Sequence, residues 1–303
     1  MTVAFARPAL TANMRGVLWM LASALCFTVM ASSIKLLALR DYSESQMLFF
    51  RCAFGVLLIA PVLVRNGLGA MATARPWAMA RRCVGSAFGV LLAYYAFAHM
   101  PLATAQSLSF ARSLFVVLLA ILLLHEKVGP WRQGALVAGF AGVLVMLRPT
   151  SMQFDAAAFA ALGSAALLAY TVVTVKDLSR DHTTLSLVLW MNLVTSLIGL
   201  PLALVAWRTP TWPDAGLFLV LAASGVFAQT CFTRGIAAGD ASLMTLMDYV
   251  RLPLAALAGL IVFHEVLDLW TVLGAAIVIG STIFITVREA FLEKRRAPPP
   301  TPG

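Results

Sequence analysis

Apolar residues run along this chain in blocks of about twenty, and polar residues gather at the breaks between blocks instead of recurring at every third or fourth position. A helix of a soluble domain keeps a polar face, so blocks that are apolar all round and long enough to cross ~30 Å of hydrocarbon are read as membrane spans. Breaking them at Pro, Gly and charge clusters predicts ten helices, at 16–38, 45–64, 81–99, 102–124, 132–148, 156–176, 184–206, 215–236, 240–262 and 268–287. The first, GVLWMLASALCFTVMASSI after Arg15, exceeds a signal-peptide core of roughly 7–15 residues and is read as an uncleaved span. Connections are short, and the tail EKRRAPPPTPG has the proline and charge content of a disordered end.

Composition agrees with that class: 61% of the residues are apolar and 12% charged, against about 25% charged in soluble domains. With the N-terminus in the cytoplasm, fifteen of the 22 Lys and Arg fall on the cytoplasmic side, four outside, and three (Arg51, Arg112, Arg251) within spans. The positive-inside rule then places both termini in the cytoplasm, in a membrane of the bacterial inner type. The net charge of +9 faces anionic lipid head groups, and no nucleic-acid partner is implied. Cys26, Cys52, Cys83 and Cys231 lie in or at the ends of apolar runs without CxxC spacing, which suggests neither disulfides nor a zinc site.

Two short stretches stand out. LHEKVGPW at 124–131 and FHEVLDLW at 263–270 repeat a His-Glu and a Trp in one register, 139 residues apart. The same shift aligns Arg112 with Arg251, Leu118 with Leu257 and Phe110 with Tyr249. A duplicated five-helix unit explains this, and because five is odd the second copy enters the membrane from the opposite side. The fold class expected is therefore all-α integral membrane, with ten transmembrane helices as two inverted five-helix repeats around a central cavity. The repeats are expected at 1–150 and 151–288, followed by a disordered cytoplasmic tail at 289–303. Fused inverted repeats are characteristic of secondary transporters, since near-equivalent halves give near-equivalent inward-open and outward-open states. Such a repeat supplies its own central site, so a monomer suffices.

With FFR at 49–51, YYAFAHMPLATA at 94–105, a Glu after helices 4 and 9, and the Gly-rich helices GALVAGFAGVLVMLRP and GAAIVIGSTIFITV, the chain resembles the drug/metabolite transporter superfamily in its ten-helix EamA branch. The resemblance spans residues 15 to 288. It implies export or exchange of a small metabolite such as amino acids, aromatic ones included, or xenobiotics. Relatives that take up nucleoside-like or sulfonium metabolites look similar at this level. The halves differ: helix 7 has no Arg matching Arg51, and Asp248 and Pro253 stand where helix 4 has Ser109 and Leu114.

Ionised side chains at mid-membrane are costly without a partner or water, which makes Arg51, Arg112 and Arg251 substrate-site candidates for a solute with an anionic group. Asp248, three residues before Arg251 on the same helical face, is either its salt-bridge partner or a carrier of coupled protons. Tyr94, Tyr95, Gln106, Ser107, Trp190, Gln229 and Tyr249 offer stacking faces and hydrogen bonds to a small amphipathic solute. Lys35 and Lys176 end helices 1 and 6, where they cap carbonyls or guard entrances. Glu126 and Glu265 are expected to bond helix or loop backbone at the gates, and Pro253 to break or bend helix 9. An enzyme of the HExxH kind is excluded, because position 129 is Gly and position 268 is Asp. The four His (99, 125, 182, 264) are spread over both sides, so no metal or cofactor is expected. A passive channel or scramblase is the remaining rival to a carrier.

Overall fold

The computed structural model describes residues 12–66, 73, 75–124, 130–147, 156–178, 181–238, 244, 247–266 and 268–296. They form α1 (Ala12–Ala38), α2 (Glu44–Asn66), α3 (Pro76–His99), α4 (Leu102–Ser109), α5 (Ala111–Leu124), α6 (Pro130–Leu147), α7 (Ala156–Leu178), α8 (Thr184–Val205), α9 (Trp212–Ala238), α10 (Arg251–Phe263) and α11 (Leu269–Arg296). No strand occurs among the described residues. Five stretches, Met14–Ala38, Leu102–Leu119, Ala156–Val175, Ser186–Val205 and Trp212–Ala238, are long and apolar enough to cross a membrane. Leu18, Leu25, Leu197, Phe227 and Ile261 are exposed on the outside of the bundle, an apolar exterior suited to lipid.

The bundle is assembled across its two halves. The most extensive helix interfaces join α1 to α9, α3 to α7, α6 to α11 and α2 to α8. In spans these are pairs 1–8, 3–6, 5–10 and 2–7. Exchanging span n with span n+5 swaps the first two pairs and returns the last two to themselves, the signature of a pseudo-two-fold relating the halves. Pro61 inside α2 and Pro201 inside α8 occupy matching places under the same exchange. At the α6–α11 contact Gly142 and Gly274 bring the two backbones together: a Cβ on Gly142 would lie 2.9 Å from the Gly274 carbonyl oxygen. Small residues at such contacts replace the hydrophobic drive that lipid cannot supply.

Three elements depart from the sequence expectation. Helix 4, expected as one span over 102–124, is interrupted at Phe110 between α4 and α5. There Ser107 donates to the Ala103 carbonyl, Ser109 to that of Gln106 and Ser113 to that of Phe110, taking acceptors the helix ladder would use. Helix 9 is interrupted too, but at Tyr249–Val250 and not at Pro253. Pro253 is the third residue of α10, where a missing N–H costs nothing. Finally, α11 continues through 289–296, part of the segment expected to be a disordered tail.

Candidate functional site

The two interruptions meet. Phe110 and Tyr249, the residues aligned by the 139-residue shift, pack with ring centroids 4.7 Å apart and their planes tilted by 52°. Each break sits at mid-span, because each is followed by a helix of 13 or 14 residues to the far end. Tyr249 neighbours Thr282 of α11, and Ser113 lies 3.0 Å from the Thr282 hydroxyl. Polar side chains from α5 and α11 thus close the break region on one side.

Charges gather at the same depth. Arg251, the first residue of α10, is buried, and its Nη2 is 2.5 Å from Asp248 Oδ1. Its guanidinium also lies 3.6 Å from the centroid of the Phe27 ring of α1 and 5.4 Å from that of Phe232 of α9, a cation–π arrangement that strengthens on desolvation. Arg251 is therefore already neutralised and stacked. Arg112, its counterpart in α5, is within electrostatic reach of Asp248, Tyr249 and Arg251. Among the described residues Arg112 has neither a hydrogen bond nor an ion pair. Among the described residues, two arginines and one carboxylate leave the cluster with one uncompensated positive charge.

Toward the end where α1 stops, a second arrangement closes the bundle. Lys35 forms an ion pair with Glu265 and donates to the Met100 carbonyl at 2.8 Å. The other Glu265 oxygen accepts the Leu102 N–H at 2.9 Å. One carboxylate thereby ties α1, the α3–α4 turn and the α10–α11 turn together. The motif that recurs in the sequence gains a physical meaning here: His264 takes a left-handed conformation (φ 55°) that stops α10, and the Glu265 N–H returns to the Gly259 carbonyl at 3.0 Å. The turn aims Glu265 at Lys35. At the same face Arg40 pairs with Asp214, and the Tyr42 hydroxyl donates to Asp214 at 2.7 Å. Burial, and then the bond to Asp214, push the Tyr42 hydroxyl pKa up. The opposite face is joined by Thr73 to His182 at 2.8 Å and by Arg75 to Asp181 at 3.6 Å.

Lys35 Nζ and Glu265 are both largely buried, and hydrogen bonds to charged groups contribute ~1.5–3 kcal/mol each. Glu265→Gln is therefore expected to loosen this face. Spin labels at the exposed positions Leu39 and Val266 read it out: the variant gains a longer-distance population, and an unchanged distribution would remove the pair from any gating role.

The remaining expected site residues divide. Gln106 is buried but turns its amide to Ser109 at 3.1 Å, within its own helix break. Ser107 likewise bonds its own helix. Trp190 packs with Met79, Cys83 and Leu187 toward the other end of the bundle. Gln229 is exposed, which corrects its expected place in the cavity. The buried stripe of α9 runs through Phe218, Leu221, Gly225 and Ala228, and position 229 points off that stripe. Glu126 and the side chain of Lys176 lie outside the described residues. Phe27, Phe110, Phe232 and Thr282 join the site without having been singled out; of these only Phe110 had a signal, its alignment with Tyr249.

A family model described as EamA-like transporter family matches residues 14–148 and again 155–287. The chain belongs to that family. It is an integral membrane protein of two repeats, whose named relatives are transporters of small metabolites. One relative is an S-adenosylmethionine uptake transporter of Rickettsia prowazekii (strain Madrid E), 30% identical over 281 residues, covering 93% of this chain and 95% of its own. A riboflavin transporter of Rhizobium johnstonii is 31% identical over 284 residues, covering 93% and 94%. A pseudopaline exporter of Pseudomonas aeruginosa is 27% identical over 273 residues, covering 89% and 95%. A crystal structure at 17% identity and TM-score 0.59, covering 90% of this chain and 98% of its own, shares the fold. The EamA resemblance drawn from the sequence is thus shown. The expected amino-acid cargo is not what these relatives' names state.

Proposed function

We propose that this EamA-family chain is a secondary carrier that moves a small organic metabolite combining a carboxylate with a flat ring, by alternating access. The observation that carries the reading is the mid-span cluster, in which Arg112 has no partner of its own among the described residues while Arg251 is held by Asp248 and Phe27. A carboxylate on Arg112 would gain charge-assisted hydrogen bonds and cancel the remaining charge. The paired Phe110 and Tyr249 rings, tilted against each other, offer a face to an aromatic or heteroaromatic group. Aromatic amino acids and S-adenosylmethionine both combine these parts. Uptake and export are one cycle run in opposite senses, and Asp248 is the carboxylate placed to exchange a proton if the cycle is proton-coupled.

On the positive-inside count, the Lys35–Glu265 face is periplasmic and both termini are cytoplasmic, in a bacterial inner membrane. The conformation described is then closed to the outside by that pair.

Flux into proteoliposomes tests the substrate class, with labelled S-adenosylmethionine, riboflavin and aromatic amino acids, with and without a pH gradient. Saturable entry of a carboxylate-bearing compound is expected, competed by carboxylate analogues and not by their methyl esters. Equal competition by the esters would refute the carboxylate reading.

A further inference from the structure

A third intramembrane arginine lies apart from the mid-span cluster. Arg51 is the eighth residue of α2, ~10 Å in from its Glu44 end. Tyr94 of α3, five residues before that helix ends at His99, packs with Met30 and with Cys52, the residue after Arg51, and lies within electrostatic reach of the Arg51 guanidinium. From α9, Gly225 leaves the guanidinium its room: a Cβ there would lie 2.9 Å from Arg51 Nε and 3.3 Å from Met30 Sδ of α1. Four helices thus surround one cation.

No acidic side chain pairs with Arg51 among the described residues. The Tyr94 side chain is 2% exposed, and its hydroxyl oxygen makes no well-aligned hydrogen bond. Arg51 is half-buried; partly desolvating a guanidinium without a counter-charge is costly, and a buried hydroxyl without a well-aligned partner costs ~1–3 kcal/mol. One small anion would resolve both, by accepting from the guanidinium and from the phenol together. The second half has no equivalent: at the same register α8 carries Trp190, an uncharged ring.

We propose that Arg51 and Tyr94 form an anion-binding station between the periplasmic face and the mid-span cluster, one that accepts a carboxylate or sulfonate. It rests on the carrier reading for its place along a path, but its anion chemistry does not depend on which metabolite is carried. A solute's anionic group entering from outside meets Arg51 first and is passed to Arg112.

The test needs no transported substrate, so a silent flux panel leaves it readable. The four native cysteines are replaced by serine, Tyr94→Cys is introduced, and the full chain is labelled from outside in right-side-out vesicles. The probes are the sulfonatoethyl and trimethylammonioethyl methanethiosulfonates, with rates normalised to a free thiol. The anionic reagent is expected to react about tenfold faster, as a focused positive potential in a low-dielectric cleft requires. Arg51→Gln should erase the preference and Arg51→Lys retain it. Within the parent Tyr94→Cys protein, unreactive ethanesulfonate should slow labelling while methylammonium does not, a result independent of whether the Gln variant folds. Equal rates, a preference for the cation, no labelling from outside, or a preference unchanged in Arg51→Gln would each overturn the proposal and leave Arg51 as a sealed packing residue.

Discussion

Replacing Arg112 by Ala is expected to abolish saturable transport while leaving the bundle folded. Arg112 makes no hydrogen bond or ion pair among the described residues, so its loss removes little that holds α5 in place. On the proposed carrier reading, what the substitution removes is the partner for an incoming carboxylate. Truncating one member of a desolvated, hydrogen-bonded charge pair costs ~2–5 kcal/mol, about 30-fold to several-thousand-fold in affinity. Arg112→Lys keeps the charge but not the planar fork, and should recover part of the affinity. The contrast with Arg251→Ala is informative. That change strands Asp248 without its ion-pair partner and strips a cation from the Phe27 face, so it should lower thermal stability as well as flux. Flux and melting temperature together separate the two roles: Arg112→Ala lowers flux alone. A stability loss in Arg112→Ala as large as that in Arg251→Ala would mean that both arginines are structural.

The second large effect concerns the contact between the halves. Gly274→Val is expected to prevent normal assembly of the bundle. A Cβ at 274 would overlap the Met146 side chain and stand 2.6 Å from the Gly142 carbonyl oxygen, which is backbone and cannot rotate away. Overpacking typically costs ~1–3 kcal/mol when side chains can adjust, and here α6 and α11 must separate. Gly134→Val and Gly280→Val provide the controls, since a Cβ at either position meets nothing within 4 Å. Size-exclusion profiles and melting curves in detergent should show aggregation or a large loss of stability for Gly274→Val and near-parent behaviour for the controls. A well-behaved Gly274→Val protein would remove the α6–α11 contact as a determinant of the fold.

How far the sequence alone could lead follows from what kind of signal each feature leaves. Span existence rests on long apolar blocks, a strong signal, and the duplication survived in a handful of residues, among them Arg112 with Arg251 and Phe110 with Tyr249. The helix interruptions left almost none. Pro253 was the visible breaker, yet a proline in the first turn of α10 begins a helix instead of ending one. At Phe110 the break comes from Ser107, Ser109 and Ser113 bonding carbonyls, which common residues do in many helices without breaking them. Gln229 illustrates a different limit. Polarity inside a span suggests a cavity, but only the phase of the buried stripe along α9 says which way a side chain points, and nothing in a uniformly apolar helix sets that phase. The His-Glu motif was legible as a repeat but not as a device. That His264 takes the left-handed cap position and turns Glu265 onto Lys35 depends on a backbone torsion and on two distant helices. Cargo is the least legible part, because relatives near 30% identity carry compounds as different as S-adenosylmethionine and riboflavin by name.

Counterflow is the measurement that bears most directly on a carrier with Arg112 at its centre. Proteoliposomes holding the purified chain are loaded with unlabelled S-adenosylmethionine or an aromatic amino acid, then diluted into a trace of the same labelled compound. A transient overshoot of label above its equilibrium level, saturating with concentration and absent in a folded Arg112→Ala variant, is the expected result. Linear entry without overshoot, equal in parent and variant, would contradict it and identify a passive pathway through the bundle.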